Sequence, residues 1–130
     1  MEEITRCDLI NLLKEKFPKF IPYWEEYISD CGGTDLGISN DMTPFFDYAL
    51  DEIKFENCNE VEKIFSFVEF LMCNGDKSVK NAIAICFLED LLNQDPNEIQ
   101  FVKFSQYLGK ESIGYLRAWN EFHGAHTEGL

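Results

Sequence analysis

Apolar side chains recur every three to four positions along most of this chain, and strand-like alternation is scarce. That period predicts helices in series. The first is expected from Glu3 to about Lys16, with Ile4, Leu9, Leu12 and Leu13 facing inward. A second is expected to start at Pro22, whose missing N–H is harmless in a first turn. It carries Tyr23, Trp24, Tyr27 and Ile28 and stops before Gly32-Gly33. Thr43-Pro44 predicts the next start, a threonine N-cap followed by proline at the first helical position, ahead of Phe45, Phe46, Tyr48, Leu50 and Ile53. Asn59-Glu60-Val61-Glu62 predicts a capping box. The stripe Val61, Ile64, Phe65, Val68, Leu71 and Met72 follows it, with Gly75 as the stop.

The segment from Ser78 to about Asn93 is apolar nearly all round between Ala82 and Leu88, so its helix is expected at the centre of the fold with Ile85 in the core. Asp95-Pro96 predicts the cap of a further helix carrying Ile99, Val102, Phe104 and Leu108 and ending at Gly109. A last helix, Lys110 to Phe122, offers Ile113, Leu116, Trp119 and Phe122. Residues 29–42, with Gly32, Gly33 and Gly37, form the one long connection, either a functional loop or a plain crossover. The expected architecture is a single all-α domain, residues 1–130, of six to eight helices stacked as antiparallel helical hairpins.

Charge changes the picture. The chain has 24 Asp and Glu against 11 Lys and Arg, a formal charge of −13. Residues 31–60 hold seven of the acids (Asp35, Asp41, Asp47, Asp51, Glu52, Glu56 and Glu60) against one base, Lys54. Such a field repels nucleic acid and anionic lipid and attracts cationic partners. A hydrophobic content of 45% with 12 Phe argues against disorder, so the acid is expected on the surface of a packed protein. The five cysteines are odd in number and form no C-x-x-C pair, which fits a reducing compartment. Cys73 and Cys86 lie in apolar segments and are expected to pack as small hydrophobes. Met1-Glu2-Glu3-Ile4 lacks the basic and apolar regions of a signal peptide, and no apolar run is long enough to span a membrane. A soluble cytoplasmic protein is expected.

Chemical motifs are weak. His123 and His126 form H-x-x-H, but Gly124 should end the helix between them and no third strong ligand is near. His123 is expected to meet the last carbonyls of its helix instead. Gly109-Lys110-Glu111-Ser112 is similar to the end of a phosphate-binding loop, yet Phe104 stands where that motif needs glycine and Glu111 where it needs a hydroxyl. The reading is therefore of no enzyme, no catalytic residue, no metal and no cofactor. The distinctive surface is the acidic one. Asp47 and Asp51 lie four apart on one expected helix face, where like charges repel. Asp35, Asp41, Asp47, Asp51, Glu52 and Glu56 are expected to border a partner-binding site, with Leu36 and Phe46 as apolar anchors. Glu25 and Glu26 mark an alternative face.

The segment Gly32-Gly33-Thr34-Asp35-Leu36-Gly37, the acidic helix after Thr43-Pro44, and the closing Leu116-Arg117-Ala118-Trp119-Asn120-Glu121-Phe122-His123-Gly124 carry a resemblance. The chain resembles the small acidic helical immunity proteins of bacterial toxin systems, including those of contact-dependent growth inhibition. The resemblance implies a tight one-to-one complex with a cognate toxin domain, often a basic nuclease; the leading expectation is an inhibitor whose acidic side chains occupy that domain's phosphate sites. It assigns no binding residue by position. The alternative is a helical adaptor or regulatory subunit that binds another protein without inhibiting it.

Overall fold

The computed structural model describes residues 3–32 and 37–130, without the side chains of residues 38 and 39. Among the described residues six helices make up the fold. Helix α1 is Arg6–Lys16, α2 is Ile21–Asp30, α3 is Ile38–Lys54 and α4 is Cys58–Asn74. Helix α5 spans residues 77–92 and contains a π-helical segment, Ala84–Leu88. Two 3-10 turns, Phe101–Lys103 and Ser105–Tyr107, lead to α6, Lys110–His123. The one strand-like pairing among the described residues is a parallel bridge between Ile4 and Gly75.

Local chemistry sets the helix ends. The Thr5 Oγ1 accepts the Asp8 N–H while the Asp8 carboxylate accepts the Thr5 N–H, so α1 opens at Arg6, later than the apolar spacing suggests. Helix α3 starts well before Thr43, at Ile38, and carries Pro44 inside it. Its added first turns bury Met42 completely and bring Asp41 within reach of Arg6, whose Nε donates at 2.8 Å. Those contacts outweigh the preference of proline for a first turn. Helix α4 begins at Cys58, and the capping box expected at Asn59 is not formed. Asn57, at the cap position, instead donates its side-chain amide to Glu52 at 2.7 Å and closes the α3–α4 turn.

Residues 95–109 depart most from expectation. They form turns and 3-10 bonds rather than a helix. Ile99, Phe101, Phe104 and Leu108 are buried, but Val102 points out. Their spacing does not follow one helical face, so turns bury them better. Ile85 is also corrected: it is 54% exposed, on the outside of the π segment, while Ile83, Phe87 and Leu88 are fully buried. Phe122, expected inward, is 85% exposed. Cys73 is exposed rather than packed, and Cys86 is half-buried against the core.

The core is aromatic. Phe87 of α5 stacks on Phe45 of α3 at 5.1 Å between ring centres and meets Phe46 and Phe65 edge-on. Phe17 and Phe20, just after α1, extend the cluster to Phe45 and Tyr48. Such offset and edge-on pairs add to the burial of large rings. Helices α3, α4 and α5 pack on one another around this cluster; α2 lies on α3, and α6 lies on α4 and the π segment.

The last helix is fixed by a carboxylate from another element. Glu69 of α4 accepts the backbone N–H of Glu111 at 2.9 Å, that of Ser112 at 3.0 Å and the Ser112 hydroxyl at 2.9 Å. Burial alone would raise the Glu69 pKa, but these donors outweigh it and hold the carboxyl below its ordinary range. The loop-like sequence Gly109-Lys110-Glu111-Ser112 thus has these helix N–H groups filled from within the chain. A Cβ at Gly109 would lie 2.3 Å from the Glu69 side chain, so a larger residue there would have to displace the carboxylate that caps α6.

The contrast between two neighbours tests this packing. Phe87→Ala should cost about 3–5 kcal/mol in urea unfolding, whereas Ile85→Ser should stay within about 0.5–1 kcal/mol of the wild type. Equal losses would place Ile85 back in the core.

Candidate functional site

Helices α2 and α3 together build an acidic face. On α2, Tyr23, Glu26, Tyr27 and Asp30 recur three and four residues apart and therefore share a side. On α3, Pro44 and Asp47 come up against them, and a hollow of about 190 Å³ opens between the two helices. Glu26, Asp30 and Asp47 line it together with Tyr23, Tyr27 and Thr43, and no lysine or arginine does. All three acids are exposed.

Electrostatics mark Asp47. Burial, then the charge of Asp51, then that of Glu26 push its carboxyl above the ordinary aspartate value. The fold therefore holds this charge against its own tendency to take up a proton. Asp51, one turn on, is differently placed, because the Tyr23 hydroxyl donates to its carboxylate. That bond first, with burial and the surrounding acids, lifts the Tyr23 pKa to about 12. Tyr27 is raised by burial and then by the charge of Asp41.

The expected site residues separate into groups. Asp47 and Asp51 lie on the α2–α3 face. Asp41 does not: it is only 3% exposed and paired with Arg6, so the partner role expected for it is corrected to a structural one. Phe46, expected as an anchor, is buried against Phe87, because the helical register that exposes Asp47 turns its neighbour inward. Glu52 holds the α3–α4 turn through Asn57. Glu56, with a left-handed φ of 55°, sits at the far end of α3 with Lys103 at 3.9 Å. Asp35 and Leu36 lie outside the described residues. Glu26 belongs to the same face as Asp47 rather than to an alternative one, and Asp30 was not singled out from sequence. The 3–4 spacing of acids and tyrosines along α2 is the signal that places Asp30 on one side with Glu26.

Other candidate groups are placed elsewhere. Gly124 adopts a left-handed φ of 63° and ends α6, so His126 leaves the helix that carries His123. His123 lies in the last turn of α6, its ring centre 4.2 Å from that of Trp119. Among the described residues no three His, Cys, Asp or Glu side chains are placed to share a metal ion. No helix among them is long and apolar enough to cross a membrane.

Residues 10–124 match a family described as a domain of unknown function (DUF7674). No curated protein and no solved structure matches the chain.

Asp47 carries the stability cost of the face. Because its folded pKa is raised, the native state binds its proton more readily than the unfolded chain, and the ionised group destabilises the fold above the ordinary aspartate range. Asp47→Asn should therefore raise unfolding free energy at pH 7 by roughly 0.2–0.5 kcal/mol, the scale of exposed like-charge pairs. The difference from wild type should shrink as pH falls towards 4. A loss of stability at pH 7 would show that Asp47 is internally satisfied.

Proposed function

The chain belongs to this family of unknown function, and we propose that it is a non-catalytic binding protein whose α2–α3 face receives a cationic protein domain, in the manner of an immunity protein neutralising a toxin. The observation that carries this reading is the pooling of Glu26, Asp30 and Asp47 from two helices around one hollow without a base, with Asp47 pushed towards its protonated form. A lysine or arginine side chain from the partner fits such a hollow: the carboxylates supply the counter-charge, and the Tyr23 and Tyr27 rings supply faces for a cation. The formal charge of −13 would speed the encounter and orient the partner before contact. Bound over the basic surface of a nuclease, the face would occupy positions meant for phosphates.

The test uses the partner recovered by affinity capture and then purified. Glu26→Gln, Asp30→Asn and Asp47→Asn together should lower the association rate about tenfold at low salt, with the difference narrowing near 0.5 M salt as charges are screened. An unchanged rate at both salt concentrations, in a folded variant, would remove this face from the interface. Inhibition of the partner's own activity by wild type, and its loss in the variant, would identify the toxin-neutralising form. Binding without inhibition would identify an adaptor instead.

A further inference from the structure

We propose a second, oppositely charged site: a hollow between the end of α1 and the outer face of α4 that binds a small amphipathic carboxylate. Its volume is about 530 Å³, within the range of small-molecule sites. The floor is aromatic. Phe17 and Phe67 line it while almost wholly buried, at 2% and 4% exposure, and Phe70 stands open at 36%. The Phe67 and Phe70 rings lie nearly parallel, stacked 19° apart with centres 6.0 Å apart.

The rim is cationic. Lys16 and Lys63 flank the hollow against one acid, Glu62. The hollow at Glu26, Asp30 and Asp47 has acids only, and the one at Lys54, Lys103, Glu56 and Glu98 is balanced. In a chain with 24 acids and 11 bases, an excess of lysine around an aromatic floor runs against the overall charge. Neither lysine makes an ion pair among the described residues. The Lys16 ammonium instead lies over the Phe67 ring, 5.7 Å from its centre. A carboxylate placed between Lys16 and Lys63 would gain the counter-charge both lack. An aryl or alkyl tail would lie on Phe70, the open ring of the floor. The two parts of such a ligand match the two parts of the hollow, and the site does not depend on the α2–α3 face.

The probes are 3-phenylpropionate and its neutral amide, which differ in charge and share the ring. Calorimetric titration should give saturable binding of the carboxylate below about 10 mM, at least about fivefold tighter than the amide. Backbone N–H resonances of Lys16, Phe17, Lys63, Phe67 and Phe70 should shift together. Lys16→Gln with Lys63→Gln should abolish the preference for carboxylate over amide, whereas Lys16→Arg with Lys63→Arg should keep it. Phe70→Ala should weaken both probes. The three acid-to-amide changes on the α2–α3 face should alter none of this. Equal affinity for both probes, resonance shifts elsewhere on the protein, or no saturation by 3-phenylpropionate would each overturn the proposal.

Discussion

A carboxylate drawn into a packed protein needs a donor, and this chain has too few bases to provide them. Tyrosine hydroxyls and helix N–H groups take their place. Tyr23 of α2 donates to Asp51 of α3, Tyr48 of α3 to Glu60 of α4, and Tyr115 of α6 to Glu89 of α5. Glu69 of α4 accepts the N-terminus of α6, and Asp76 caps α5 by accepting the Val79 N–H at 2.9 Å. Each of the three tyrosine bonds and the Glu69 cap joins two different helices. A neutral hydroxyl brings no second charge to be desolvated, which makes it a less costly partner than lysine at a half-buried site. Among the described residues Arg6 and Asp41 form a close ion pair, at 2.8 Å.

This division gives the surface its meaning. Acids with an internal donor hold helices together; Glu26, Asp30 and Asp47 surround a hollow without a basic side chain. The repulsion of Asp51 and Glu26 on Asp47 lies on the α2–α3 pair, whereas the Phe87 cluster joins α3 to α4 and α5. A large aromatic core can carry a few tenths of a kcal/mol of surface repulsion without loss of the fold. The lysine-rimmed hollow on α4 shares no lining residue with this face. A single small domain thus presents two hollows of opposite polarity, one lined by acids and tyrosines and the other by lysines and phenylalanines.

The sequence made the all-α class legible, and α4 nearly to the residue, because one strong stripe met one glycine stop. It misled where tertiary contacts overrode local signals. Pro44 marks a helix start only if nothing upstream has a reason to be helical, and Met42 and Asp41 supplied that reason. The run from Ala82 to Leu88 contains no polar residue, so periodicity could not tell that Ile85 faces water. In residues 95–109 apolar content was read as helical spacing, although buried positions 99, 101, 104 and 108 fit turns. At the site, the Asp47–Asp51 repeat was readable within one helix. The approach of Glu26 and Asp30 was not, because it arises from the packing of α2 on α3. The lysine-rimmed hollow was equally hidden, since Lys16 and Lys63 are brought together only by the fold.

Spectrophotometric titration of the tyrosines, read beside helical circular dichroism, tests the account most directly. The Asp51 bond and burial place Tyr23 at about 12; burial and the Glu89 bond place Tyr115 at about 12. Burial and the Glu60 bond push Tyr48 up strongly as well. A folded pKa above the unfolded value near 10 means that these bonds stabilise the protein fully below pH 10. That contribution is lost as pH rises through 12. The account predicts that Tyr23, Tyr48 and Tyr115 stay un-ionised at pH 10.5 in the folded protein, and that helicity falls as they ionise above it. Ionisation of all five tyrosines near pH 10, with the helical signal intact, would contradict it.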